Sequence, residues 1–217
     1  MQGYKTRKLE FEIGAFKGQL RALQDKMQFS DPEGCAARAG ICSASWSLFG
    51  QLWPASKILA RAMKKIELRG QRILELGCGL ALPSLALQYR GANITASDYH
   101  PVSRDFLHHN TRLNNLSDIP FMRLDWSSPP GGYQFDLIIA SDVLYEPAHP
   151  KLLAHAIQQL ASASCKVLLS CPGRGYKNRF SRKMARLGFE LEETPVPFTT
   201  DEPPPHKGRL LAYELSR

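Results

Sequence analysis

The sequence predicts an α/β protein: an open, Rossmann-like sheet of seven strands with helices on both faces, its last strand pair antiparallel, preceded by a helical N-terminal extension. Three observations carry that expectation. Strand-like and helix-like patterns alternate from residue 72 onward, as βαβ crossovers require. A glycine-bearing turn, Gly77-Cys78-Gly79, follows the first apolar run. Two further polar clusters, at Asp98 and at Ser141-Asp142, close later apolar runs, so all three would meet at the carboxyl ends of neighbouring parallel strands, where such sheets bind ligands.

Arg72–Leu76 is expected to be the first strand. Pro83 suits the first turn of the next helix, where its missing N–H costs nothing, and Gly91 ends that helix. Asn93–Ser97 reads as the second strand and Val102–Asn115 as a helix. Phe121–Asp125 and Phe135–Ala140 give the third and fourth strands, and Pro147–Ala161 a helix. Lys166–Ser170 is the fifth strand, followed by a helix over Tyr176–Leu187 with Gly188 as its C-cap residue. Phe189–Glu193 and Arg209–Leu215 complete the sheet, joined by a proline-rich connection, Pro195 to Pro205, too short for a crossover helix.

Residues 1–70 break this alternation. They read as helical near Phe16–Phe29, near Pro32–Ala39 and over Pro54–Lys65, and are expected to form an extension covering the cofactor site, with residues 71–217 as the main domain. The chain has 217 residues, 43% of them hydrophobic, enough for one core of that class. Met1 to Leu20 alternates charges with isolated apolar residues and lacks the apolar run of a signal peptide. No segment approaches the roughly 18 apolar residues of a membrane span. Five cysteines form no Cys-x-x-Cys pair, which points to a reduced, cytoplasmic protein.

Charge is unevenly spread. Lys and Arg number thirteen against six Asp and Glu over residues 1–72, four against eight over 73–150, and eleven against six over 151–217. The central segment is acidic and its flanks are basic. Arg174–Arg186 holds six basic residues and no acid, a solvated helix face or a surface for a polyanion or an acidic protein.

The glycine loop decides the cofactor. A dinucleotide fingerprint needs G-x-G-x-x-G/A, and Leu82 stands at its third small position. Glu75, at the strand end, would repel a diphosphate and attract a cation. Asp98 lies nineteen residues after Gly79, where a carboxylate can accept both ribose hydroxyls. These features select S-adenosylmethionine, which carries an ammonium and a sulfonium and no phosphate. Among the tryptophans, Trp53 and Trp126 are candidates for contact with the cofactor's apolar surface, and Trp46 for the core. Cys78 reads as a small filler, although a nearby helix N-terminus could lower its pKa. Metal binding is not expected: His108 and His109 point to different faces of a helix and no third ligand lies at helical spacing.

The segment Trp53 to Tyr145 resembles the class I, seven-β-strand methyltransferases, and within them the protein-lysine methyltransferases with an Asp-x-x-Tyr motif after the fourth strand. The matching stretches are Gly50-Gln51-Leu52-Trp53-Pro54, Glu75-Leu76-Gly77-Cys78-Gly79, Asn110 to Leu116, Leu124-Asp125-Trp126 and Ser141-Asp142-Val143-Leu144-Tyr145-Glu146. The similarity covers roughly residues 46–190, with Ala81 where the family more usually has glycine. It implies that Trp53, Gly77, Cys78, Gly79, Asp98, Trp126 and Ser141 line the S-adenosylmethionine site and that Asp142 and Tyr145 face the substrate amine; Glu75, from its charge, and Asp125, beside Trp126, are further candidates for the cofactor.

A lysine amine is a poor nucleophile until it loses a proton, given its usual pKa of about 10.4. Asp142 is expected to orient the neutral amine and Tyr145 to align or seal it. The bland alternative makes Asp142 a cap for the following helix, with Tyr145 packed on that helix. The expected partner is a protein presenting a lysine side chain. A small-molecule amine, an RNA drawn to the basic segment, and a non-catalytic cofactor sensor are the other readings. Val143-Leu144 stands where base-modifying enzymes carry paired prolines, which counts against RNA.

Overall fold

The structure is a computed structural model describing residues 3–199 and 206–215. Its seven-stranded sheet and flanking helices match the expected class. In chain order the elements are strands β1 (Thr6–Ile13) and β2 (Phe16–Leu23), and short helices α1 (Cys35–Arg38) and α2 (Ser43–Trp46). After a 3-10 turn at Ser47–Gly50 come α3 (Pro54–Met63), β3 (Arg72–Leu76), α4 (Leu82–Tyr89), β4 (Asn93–Asp98), α5 (Ser103–Leu113) and β5 (Phe121–Arg123). Then follow β6 (Phe135–Ser141), α6 (His149–Leu160), β7 (Ala161–Cys171), α7 (Lys177–Arg186), β8 (Phe189–Thr199) and β9 (His206–Leu215). The Pro203–Pro205 run lies outside the described residues.

Of the three helical segments expected at the N-terminus, the one near Phe16–Phe29 is corrected, while α1 and α3 fall where the other two place helices. β1 and β2 form an antiparallel hairpin, with Ile13 opposite Phe16 across a two-residue turn in which Gly14 has φ 65°. A glycine at the first turn position gives the twist that hairpins need. Leu9, Phe11 and Ile13 alternate with Glu10 and Glu12, and Phe11 and Ile13 are buried while both glutamates are exposed. That is the period of a half-buried strand, not of a helix. Pro54 opens α3 as expected.

The large sheet has the order β5-β4-β3-β6-β7-β9-β8. β5, β4, β3, β6 and β7 are parallel, and β9 inserts antiparallel between β7 and β8. The chain runs outward from β3 through β4 to β5, then returns to place β6 on the other side of β3. This reversal opens a crevice at the carboxyl ends of β3 and β6, the usual ligand position in open α/β sheets.

The pleat divides the core. Leu74, Leu76, Ile138, Ala140, Val167 and Leu169 face α6 and α7, where Leu153, Ile157, Phe180 and Met184 complete the layer. Ile73, Ile94, Ala96, Leu137 and Ile139 face Leu59 and Met63 of α3 and Leu82 and Leu85 of α4, with the hairpin's Phe11, Phe16 and Leu20 joining them. The hairpin is also tied to α5: Asn110 Oδ1 accepts the Arg21 amide at 2.7 Å and Asn114 Oδ1 the Gln19 amide at 2.9 Å. No helix among the described residues is long and apolar enough to cross a membrane.

Candidate active site

The crevice is a cavity of about 780 Å³, a size suited to a nucleoside cofactor with part of a substrate. Trp53, Gly77, Cys78, Gly79, Asp98, Asp125, Trp126, Ser141, Asp142 and Tyr145 all line it.

The glycine loop is held by β4. The Cys78 amide donates to the Ser97 carbonyl at 2.9 Å and the Gly79 amide to Asp98 Oδ2 at 2.8 Å. Gly77 and Gly79 both have positive φ, 64° and 52°. A Cβ on Gly79 would lie 2.8 Å from the Phe49 carbonyl oxygen, and one on Gly77 would lie 2.9 Å from Val143 Cγ1. Glycine is therefore required by backbone angle and by space at both positions. Ala81, where the resembling family more often has glycine, also takes φ 61°.

Glu75 is the site candidate that does not line the cavity. Strand alternation turns it with Ile73 toward α4, where it is fully buried and its Oε2 accepts from the amide and the hydroxyl of Ser84. Burial pushes its carboxyl up to about 8, with the Ser84 hydrogen bonds opposing the shift, so it is largely uncharged at neutral pH. Its place is beneath the first turn of α4. Cys78 is buried as a filler should be, and burial raises its thiol pKa well above the usual value, against the helix-terminus effect.

Asp98 ends β4 and bridges two loops. Its Oδ2 accepts Gly79 N–H and its Oδ1 accepts His100 N–H at 2.8 Å. Burial raises its pKa, opposed by those backbone donors. Beside it the His100 ring stacks on Phe49, with centroids 3.9 Å apart at 18°, and Trp46 packs edge-on behind both at 5.6 Å. Trp46 is fully buried, as the core reading expected. Burial pushes His100 down to about 4, leaving it neutral. Trp53 donates its indole N–H to the Leu48 carbonyl at 3.0 Å, and Trp126 packs edge-on to His149 at 5.5 Å.

Across the cavity, β6 ends at Ser141 and Asp142 takes φ 52°, a left-handed conformation that Asp tolerates better than most residues. Its amide donates to the Ser170 carbonyl at 2.9 Å. Asp142 does not cap α6, which begins at His149 without a side-chain cap. Instead Arg174 grips it: Nε lies 2.9 Å from Oδ1 and a terminal guanidinium nitrogen 3.0 Å from Oδ2. Tyr145 stands 43% exposed at the rim. Burial, then the charges of Asp98, Glu146 and Asp142, push its phenol up to about 12, so it keeps its proton. Val143 and Leu144 are buried in the core beneath the motif. His149 fixes this loop through a 2.7 Å bond between Nδ1 and the Val143 carbonyl; since a carbonyl only accepts, Nδ1 is the protonated nitrogen.

Phe49, His100, His149 and Arg174 line the cavity without having been singled out in the sequence. His100 follows Asp98 by two residues. Arg174 follows the carboxyl end of β7 by three and precedes α7, the helix that carries the rest of the basic segment.

The donor set fits a cationic nucleoside. Asp98, Asp125, Asp142 and Glu146 line the cavity, and the one Arg or Lys among the described residues that line it, Arg174, is paired with Asp142. Among the described residues, a pyrophosphate would meet carboxylates with no unpaired lysine or arginine. S-adenosylmethionine would meet carboxylates for its hydroxyls and ammonium and aromatic surface for its base. Among the described residues no cluster of His, Cys, Asp and Glu could hold a metal ion.

A seven-stranded sheet of this order with such a crevice defines a class I S-adenosylmethionine-dependent methyltransferase. Solved structures share the fold: a magnesium protoporphyrin IX methyltransferase from Synechocystis PCC 6803 with bound S-adenosylmethionine superposes with a TM-score of 0.58 at 20% identity, covering 75% of this chain and 78% of that one. The 16S rRNA methyltransferase RsmC of T. thermophilus, solved with cofactor and guanosine, gives 0.67 at 14% identity over 97% of this chain and 51% of its own. Residues 43–186 match the model of the lysine methyltransferase family, and the chain belongs to that family. Among curated relatives, protein N-lysine methyltransferase METTL21A of Danio rerio is 31% identical over 166 residues, 70% of this chain and 74% of that protein. The electron transfer flavoprotein beta subunit lysine methyltransferase of Xenopus laevis is 29% identical over 133 residues, 59% of this chain and about half, 52%, of its own length. The histone-arginine methyltransferase METTL23 of Rattus norvegicus is 32% identical over 108 residues, 44% of this chain and 46% of that protein.

Proposed function

We propose that this enzyme methylates the ε-amine of a lysine side chain presented by a protein, and that it acts in the cytoplasm. The carrying observation is the placement of the Asp-x-x-Tyr pair, Asp142 and Tyr145, on the cavity that the glycine loop and Asp98 also line. The family and its lysine-modifying relatives support the acceptor. Five unpaired cysteines support a reducing compartment.

When bound, S-adenosylmethionine supplies a methyl group on a sulfonium, open to in-line attack. Asp98 would accept the ribose hydroxyls on the lone pairs its two amide donors leave free. Gly77, Cys78 and Gly79 let the cofactor lie against the backbone, Trp53 and Trp126 give it apolar walls, and Asp125 and Ser141 offer polar contacts at the strand ends. The Asp142 carboxylate accepts an N–H of the amine and so fixes its lone pair. The protonated Tyr145 phenol, at the rim, closes over the aliphatic stem of the lysine and keeps water from the amine. The acidic cavity lining disfavours a nucleic-acid acceptor.

The test is incubation with methyl-tritiated S-adenosylmethionine and a cell lysate, followed by protease or ribonuclease digestion and amino-acid analysis. Label in ε-N-methyl-lysine that survives ribonuclease supports the proposal. Label in RNA or in methyl-arginine refutes it.

A further inference from the structure

Resting on that lysine reading, we propose that Arg174 is a positioning residue that cancels the charge of Asp142, so that the acceptor end of the cavity takes an amine in its neutral form. Asp142 is only 9% exposed, and both its oxygens are engaged by the fork of Arg174 at 2.9 and 3.0 Å. A carboxylate offers about four lone-pair sites. The fork uses two, and the others remain to accept N–H groups from an amine.

A bare carboxylate here would do the opposite. A nearby opposite charge stabilises the protonated amine, so an unpaired Asp142 would bind ammonium, which has no lone pair for attack. With Arg174 in place, the ammonium meets an ion pair of zero net charge. It gives its proton to water at the mouth, and the amine enters with its lone pair free.

The surrounding groups leave this balance to Arg174. On the motif loop and α6, Glu146 is exposed to water, the Tyr145 phenol stays protonated, and burial lowers the pKa of His149. At the strand ends, Asp98 accepts from the Gly79 and His100 amides, and exposed Asp125 accepts from Ser127. Burial raises the pKa of the Cys171 thiol. On α7, Lys177 is paired with Glu193. Arg174 sits between Gly173 and Gly175, a backbone that lets its guanidinium reach back over Asp142.

The experiment titrates protein loaded with S-adenosylhomocysteine with n-butylamine, a lysine side-chain analogue, followed by NMR at pH 7.5 and 9.5. Wild-type affinity per total amine should rise more than about tenfold between these pH values, tracking the neutral fraction of an amine with a pKa of about 10.4. Arg174→Gln should bind more tightly than wild type at pH 7.5 and lose most of the pH dependence, with a change below about threefold. Arg174→Lys should restore the slope, because charge and not fork geometry sets it. A flat or falling wild-type affinity, no amine-dependent shift at either pH, or a wild-type slope retained in Arg174→Gln overturns the proposal. Because this readout is binding, it stands apart from the labelling test, whose failure to yield methyl-lysine would remove the acceptor reading instead.

Discussion

Asp98 and Gly79 are joined by a 2.8 Å hydrogen bond from the Gly79 amide to the Asp98 carboxylate, which ties the glycine loop after β3 to the end of β4. The same carboxylate holds the His100 amide through its other oxygen. One side chain thus shapes the loop and faces the cavity.

Replacing Asp98 with alanine removes the acceptor of both amides and the proposed partner for the ribose. S-Adenosylmethionine affinity should fall by about 1.5–3 kcal/mol, the worth of hydrogen bonds to a charged group. Asp98→Asn should lose less, since one carbonyl oxygen remains. Calorimetry decides, and unchanged affinity in Asp98→Ala takes Asp98 out of the site.

Asp142→Asn is the cleanest change at the acceptor end, because asparagine tolerates the φ of 52°. It removes the carboxylate proposed to orient the amine and separates Arg174 from its partner. Methyl transfer should drop by at least about a hundredfold, with cofactor affinity within about threefold. Comparable turnover in variant and wild type would contradict the role given to Asp142.

Gly79→Ala tests the backbone requirement. The added methyl meets the Phe49 carbonyl at 2.8 Å at a positive φ, and a left-handed residue with a Cβ costs roughly 1–2 kcal/mol before any clash. Thermal unfolding should shift down and cofactor binding should weaken more than tenfold. An undisturbed melting temperature and affinity would show that the loop relaxes freely.

Glu75 predicts a pH effect on stability. Its folded-state pKa is raised, to about 8, so the native state holds a proton that the unfolded chain gives up near pH 4.5. Its contribution is fully present below that pH and is lost as pH rises through about 8. Wild-type stability should therefore decline between pH 5 and 9 relative to Glu75→Gln, on the order of a few kcal/mol. Denaturant midpoints that run parallel for the two proteins would assign the charge burial elsewhere.

The sheet was legible because most strands from β3 onward are bounded by turn residues, and because Pro83, Gly91 and Gly188 punctuate their helices where helix ends demand them; β7 begins at Ala161 directly after α6, and β8 runs on to Thr199 through Pro195 and Pro197, which the sequence places in the connection. The hairpin was readable too. Leu9, Phe11 and Ile13 alternate with two glutamates, the period of a strand with one buried face. Glu75 lies off the cavity for a geometric reason: a strand-end position says nothing about which face its side chain takes, and register with Ile73 sends it under α4. Arg174 could not be paired with Asp142 from sequence, since 32 residues separate them and only the parallel pairing of β6 with β7 brings their loops together.

The central claim is that the crevice between β3 and β6 holds a cationic methyl donor and not a phosphorylated nucleotide. Isothermal titration of the purified protein with S-adenosylmethionine, NAD and ADP in parallel tests it most directly. The account predicts one-to-one binding of S-adenosylmethionine, weakened in Asp98→Ala, and no measurable heat from either diphosphate. Saturable binding of NAD or ADP without binding of S-adenosylmethionine would contradict it.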